Sequence, residues 1–287
     1  MKKGLIMEGG AMRGMFTAGV TDVFMENGVR FDGGIGTSAG AAFGCNYKSG
    51  QIGRALRYNK EYCDDERYIS AKSFFKTGNL YSEDFCYHEI PEVLDKFDFA
   101  AFNENPMEFY ITCTNIETGR AVHHKHDEKN DDLNTFLEWV RASCAIPLLE
   151  QIVEINGVKL LDGGVADSVP IRFMEEVGYD RNVVILTQPL TYIKKKIKYG
   201  LLARTVYKQY PKLTEAMLDR HERYNETYEY IRDKELKGEL FVVRPPEDLN
   251  ISVSNKPEEL QRVYDIGRKE GFATLDKVRE FLNREEG

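Results

Sequence analysis

Three short segments of this chain carry residue types that can do covalent chemistry. Gly36-Thr37-Ser38-Ala39-Gly40 has the G-x-S-x-G spacing of a nucleophile elbow. In such an elbow the serine occupies a strained strand-to-helix turn, where bulk at the flanking glycines, here Gly36 and Gly40, would clash. The helix behind it offers free N–H groups and a dipole that favour developing negative charge. The bare spacing is a weak signal, because small-residue turns often hold a serine by chance. Here an apolar strand pattern precedes it and the small-residue run Ala39-Gly40-Ala41-Ala42-Phe43-Gly44 follows. Leu160-Leu161-Asp162-Gly163-Gly164 places a carboxylate at the end of an apolar stretch, before a double-glycine turn. Alone it reads as an Asp-Gly turn; beside Ser38 it supplies a base for Ser-Asp hydrolysis without histidine. An unperturbed aspartate is a poor base, so that chemistry requires a desolvated, pre-organised site.

The third segment, Gly9-Gly10-Ala11-Met12-Arg13-Gly14, also follows a strand pattern and opens a helix. Its backbone N–H groups would line a concavity that binds an anion. A dinucleotide cradle and an oxyanion hole facing Ser38 are the two readings. Against the first, Ala11 stands where G-x-G-x-x-G requires glycine, and no acidic residue closes a second strand at the usual distance. A P-loop is excluded because no Gly-Lys-Ser/Thr follows.

These segments need a scaffold that brings them together. Residues 3–8 read as a buried strand, 11–27 as a helix stopped by Gly28, and 29–37 as a second strand before the small-residue helix. This β-α-β-α order implies a parallel sheet with right-handed crossovers. Further strands are expected at 108–115, 182–187 and 241–244, with a hairpin over 151–161 turning at Asn156-Gly157. Helices are expected at 133–144, over a long charged region at 200–235, and as a pair from about Pro257. The fold class is therefore α/β, with a mainly parallel central sheet and helices on both sides in three layers. No linker or repeat interrupts it, so residues 1–287 read as a single domain, with a motif core at about 4–190 and a helical part at about 191–287.

The glycine turn with its arginine, the Gly-Thr-Ser-Ala-Gly elbow and the Asp-Gly-Gly turn, in this order and spacing, resemble the patatin-like phospholipase family. Arg141-Ala142-Ser143-Cys144-Ala145-Ile146-Pro147 also resembles the alanine-serine-proline segment of that family. The resemblance implies Ser38 as nucleophile and Asp162 as its base, with an acyl-enzyme intermediate. It implies an oxyanion hole from the N–H groups near Gly9, Gly10 and Ala11, completed by Arg13 and Gly14. The expected activity is hydrolysis of lipid acyl esters, of phospholipase A or lysophospholipase type, with no metal or organic cofactor. Ala11 departs from the glycine of many relatives; a positive φ there would cost an alanine about 1 kcal/mol. An acyltransferase using the same acyl-serine and a catalytically silent lipid-binding relative remain alternatives.

A Ser38-Asp162-His221 triad would fit the chain order of an α/β-hydrolase. However, that fold places its elbow after several strands, and His221 lies in the charged stretch Leu218-Asp219-Arg220-His221-Glu222-Arg223, which reads as a solvated helix face. His123-His124-Lys125-His126 reads as an exposed loop, since its spacing turns the rings to different sides and no cysteine accompanies it. The five cysteines (Cys45, Cys63, Cys86, Cys113, Cys144) are scattered, with no C-x-x-C pair, and default to buried small hydrophobes in a reducing cytoplasm. Trp139 reads as core.

Charge refines the expected partners. The chain of 287 residues has 39 Lys+Arg against 47 Asp+Glu, a net charge of −8, which disfavours general nucleic-acid binding. Hydrophobic residues at 42 % suffice for a large core, no run approaches a membrane span, and Glu8 and Arg13 interrupt any leader-like stretch. Yet residues 181–214 hold eight basic and no acidic residues, interleaved with Ile193, Ile197, Tyr199, Leu201, Leu202, Val206 and Tyr207. This is either a solvated helical face or, over 193–208, a peripheral contact with anionic lipid at the inner membrane face.

Overall fold

The computed structural model describes residues 1–246, 248–251 and 256–284. A mixed eight-stranded sheet forms its centre, with β1 (Lys2–Met7), β2 (Gly33–Thr37), β3 (Glu108–Asn115), β4 (Ala121–Lys125), β5 (Val153–Ile155), β6 (Val158–Asp162), β7 (Tyr179–Ile185) and β8 (Leu240–Val243). The path runs β5-β6-β3-β2-β1-β7-β8, with β4 on β3. The pairs β1/β2, β1/β7, β2/β3 and β7/β8 are parallel. Those of β3 with β4, β3 with β6 and β5 with β6 are antiparallel. Alternation along β1 sends Leu5 and Met7 to one face and Ile6 to the other. The first face is covered by α1 (Gly14–Glu26), α2 (Ala39–Ser49), α6 (Leu133–Cys144) and α10 (Pro257–Asn283), the second by α7 (Ile171–Glu176) and α9 (Pro211–Leu236). The remaining helices are α3 (Arg54–Tyr62), α4 (Ala71–Thr77), α5 (Phe99–Glu104) and α8 (Gly200–Val206). The layered α/β/α expectation is met.

Three local expectations change. The C-terminal region holds one helix, α10, in place of two: Leu260, Val263, Tyr264, Gly267, Gly271, Leu275 and Val278 form a continuous buried stripe with no break. A β-carbon at Gly267 would lie 2.1 Å from the Phe16 carbonyl, so α10 presses directly onto α1. The charged region at 200–235 divides into α8 and α9, because Pro211 starts a new helix. The histidine tract is no exposed loop. His123 and His124 lie in β4 and stack on Phe173 and Trp139 at 4.1 and 4.0 Å between ring centres, while His126 is buried. Pairing with β3 overrides the loop-like composition, and the rings do point to different sides. No described helix is long and apolar enough to cross a membrane.

Candidate active site

The serine turn explains its own sequence. Ser38 has φ 53° and ψ −123°, a conformation that costs a non-glycine residue about 1–3 kcal/mol. It joins the end of β2 to the start of α2. A β-carbon at Gly36 would lie 2.4 Å from the Ala41 nitrogen, and one at Gly40 would lie 2.2 Å from the Met7 carbonyl. Neither approach can relax, because both neighbours are backbone. The strain is held from outside as well. Ser143, at the end of α6, accepts the Ser38 N–H at 2.8 Å and donates to the Thr112 carbonyl at 2.6 Å. Ser143 lies in the segment that resembles the family, yet nothing in the sequence marks it as the clamp of the elbow.

Strand register brings the aspartate to the serine. Thr37 aligns with Thr112 on β3, and Asp162 aligns with the next residue, Cys113. Ser38 and Asp162 therefore lie at the ends of β2 and β6, on either side of β3 and at adjacent levels along it. The Asp162 N–H donates to Ala145, its carbonyl accepts from Thr114, and one carboxylate oxygen accepts the Gly164 N–H at 2.7 Å. Gly163 packs against the Thr112 carbonyl. Burial pushes the Asp162 carboxyl above the usual carboxylate range. Hydrogen bonding from Ser38, the Arg220 charge, the Gly164 N–H and the Lys194 charge pull it partly back.

The glycine turn lies beside this pair, where Gly9 packs on the Thr37 carbonyl and the Ser38 β-carbon. Its five expected residues divide by role. The Arg13 N–H closes the turn on the Gly10 carbonyl at 3.1 Å, and the Gly14 N–H turns back on Ala11 and Met12. The Gly9 N–H reaches the Ser168 carbonyl at 3.5 Å. The N–H groups of Gly10 and Ala11 have no protein acceptor among the described residues, and Ala11 shares a cavity wall with Ser38. Ala11 adopts φ 48°, the left-handed conformation that costs an alanine about 1–2 kcal/mol.

Glu8 was visible in the sequence only as an interruption of an apolar stretch. It is buried, and its carboxylate accepts from Thr187 N–H, Thr187 hydroxyl, Tyr224 and Tyr228. It thereby ties the glycine turn to the end of β7 and to α9. His221 is not solvated as expected: it is mostly buried, its Nδ1 lies 3.0 Å from the Leu218 carbonyl of its own helix, and its Nε2 is 3.7 Å from Glu222. The α9 residue whose charge acts on Asp162 is Arg220.

From Ser38 an apolar cavity of about 120 Å³ extends between α2, α6 and the 81–97 region. Its wall includes Phe43, Tyr58, Tyr87, Phe97, Phe136 and Val140. An engineered apolar cavity of roughly 150 Å³ takes up a benzene ring, so this one suits a hydrocarbon segment. Arg54 in the wall is matched by Asp95 at 3.3 Å and Asn46 at 3.0 Å. Three cysteines, Cys45, Cys86 and Cys144, line the cavity, with burial pushing all three thiols up, and Cys144 faces Ser38. Among the described residues no group of three His, Cys, Asp or Glu side chains forms a metal site.

The structure thus places an elbow serine beside a buried aspartate at the carboxyl end of a mainly parallel sheet. The family model for patatin-like phospholipases matches residues 5–174, and the chain belongs to that family and with it to the carboxylic ester hydrolases. A second model, a domain of unknown function, matches residues 210–283. The uncharacterized protein YjjU of Escherichia coli is 28 % identical over 96 % of this chain and 78 % of its own length. The lysophospholipase NTE1 of Meyerozyma guilliermondii is 26 % identical over 61 % of this chain, which spans only 12 % of that longer protein. The structure of VipD from Legionella pneumophila superposes with a TM-score of 0.46 at 12 % identity, over 96 % of this chain and 67 % of VipD.

Proposed function

We propose that this protein hydrolyses lipid acyl esters through a Ser38–Asp162 dyad, in a phospholipase A or lysophospholipase type of reaction. The observation that carries this reading is the placement of a strained elbow serine beside a buried aspartate at the mouth of an apolar cavity. Ser38 Oγ attacks the ester carbonyl while Asp162 takes its proton, and the Gly10 and Ala11 N–H groups receive the oxyanion. Asp162 then protonates the departing alcohol, leaving the acyl group on Ser38. Water attacks that ester, passes its proton to Asp162, and the acid departs as Ser38 recovers its proton. In a known serine hydrolase, losing one oxyanion donor costs 10²–10³ in rate.

Residues 1–287 act as one unit in this reading, supported by the place of β8 in the sheet and of α10 on α1. Lipid is met at a surface. Ile193, Leu201, Leu202 and Val206 are exposed among the exposed Lys195, Lys196 and Lys198. Tyr207, whose hydroxyl accepts the Leu148 N–H, ties this segment to the cavity region.

The mechanism is tested by intact mass after treatment with a fluorophosphonate. One adduct on Ser38 is expected, absent in Ser38→Ala and slower to form in Asp162→Ala. Full activity of Ser38→Ala on a chromogenic ester overturns the mechanism.

A further inference from the structure

Three cationic side chains, none of them lining the apolar cavity, lie close enough to the Ser38–Asp162 pair for their charges to act on one another or on Asp162. Arg13 comes from the glycine turn, Lys194 from the segment after β7, and Arg220 from α9. A β-carbon placed on Gly164, whose N–H holds Asp162, would lie 3.0 Å from Arg220 Nη2. Lys194 Nζ lies 4.0 Å from the ring centre of Tyr224, one helical turn from Arg220. Burial, aided by the Arg220 and Arg13 charges, pushes Lys194 down to about 7.

These groups lack the carboxylate partners that several other part-buried cations have. Arg54 has Asp95, Arg141 has Glu138, Arg244 has Glu235 and Lys234 has Glu175 and Glu239. Among the described residues, no carboxylate lies within 4.0 Å of the charged ends of Arg13, Lys194 or Arg220, and the Nε–H of each arginine is buried and donates to no protein group. The nearby Glu8 is engaged by Thr187, Tyr224 and Tyr228. Converging, partly desolvated like charges are unfavourable unless an anion offsets them, and arginine forks match phosphate oxygens.

We propose that Arg13, Lys194 and Arg220 form a phosphate subsite for the leaving alcohol, selecting lipid esters whose alcohol carries a phosphate a few bonds from the ester oxygen. The inference rests on the dyad reading, because that reading puts the acyl chain in the apolar cavity and the alcohol opposite. It also gives the C-terminal region a task, since Arg220 lies in residues 210–283, outside the catalytic family match.

The test compares kcat/KM on 1-acylglycerol and on its 3-phosphate with the same acyl chain. The phosphorylated ester is expected to be preferred by about tenfold or more, the size of one charged hydrogen bond. Arg220→Gln and, separately, Lys194→Gln should bring that ratio toward one, while Arg220→Lys retains part of it. The exposed Lys277→Gln, on α10, should keep the wild-type ratio. The ratio cancels whatever Arg220 does for Asp162, so an equal loss on both esters assigns Arg220 a structural role and overturns the subsite. So does a wild-type ratio of one. A second arm titrates glycerol 3-phosphate and inorganic phosphate into Ser38→Ala by calorimetry, which needs no turnover. Glycerol 3-phosphate binding that weakens in Ser38→Ala/Lys194→Gln supports the subsite even if neither ester is hydrolysed and the dyad reading falls. Inorganic phosphate binding as tightly as glycerol 3-phosphate assigns the cluster to the free ion and overturns headgroup selection.

Discussion

Asp162 serves as a base in the proposed reaction because its surroundings oppose one another. Burial raises its carboxyl, while Ser38, Gly164, Arg220 and Lys194 stabilise the charged form. The carboxylate must be ionised to take the serine proton, so kcat/KM falls as pH drops through this raised pKa. Arg220 lowers that pKa, and Arg220→Gln should therefore move the acid limb of the pH–rate profile to higher pH. His221→Ala should leave the limb where it is, because His221 is occupied with Leu218 of its own helix. Profiles on a neutral soluble ester check both; a shift with His221→Ala and none with Arg220→Gln would restore a triad. Ser38 and Asp162 were legible because their types, glycine flanks and spacing follow from steric demands local to each turn. Arg220 was not, because nothing in the Leu218–Arg223 stretch marks one charged residue of a helix as facing inward.

Elements hold these residues at strained positions. The elbow conformation persists because α2 and β2 meet where only Gly36 and Gly40 fit, and because α6 reaches over with Ser143. Removing the Ser143 hydroxyl leaves a buried N–H and a buried carbonyl without partners, a loss of about 1–3 kcal/mol. Ser143→Ala should therefore lower Tm and reduce kcat with little change in KM, and Ser143→Thr should restore much of both. Thermal unfolding with steady-state kinetics checks this; wild-type kcat in Ser143→Ala would show that the elbow holds itself. Strands and helices with strong apolar period were legible, β1, β2, β3, β7 and α6 among them. The histidine tract was not, since His123 and His124 have no strand signature and gain their place from β3 on one edge and stacking rings on either face.

At the scale of the whole molecule, the basic segment that stands out against a net charge of −8 divides in two. Lys194 turns inward to the dyad, while Lys195, Lys196 and Lys198 stay exposed beside exposed Leu201 and Leu202. The outward half has the make-up of an interfacial contact, basic side chains around apolar ones. Replacing Lys195, Lys196 and Lys198 with glutamine should weaken co-sedimentation with anionic vesicles, increasingly so at low salt, and preserve hydrolysis of a short soluble ester. Equal loss on soluble and vesicle substrates would remove the membrane reading.

By itself the sequence determined the layered α/β class, the places of the core strands along the chain, and the candidate serine and aspartate turns, because each rests on a periodicity or a turn that neighbouring residues impose. Only the tertiary structure decided which side chains surround them. That Thr37 and Asp162 align with adjacent residues of β3 is a matter of register between strands distant in sequence. That Glu8, Ser143, Lys194 and Arg220 converge there depends on α6, α9 and the β7 exit packing around one end of the sheet, where burial and mutual charge act across distances no local pattern encodes.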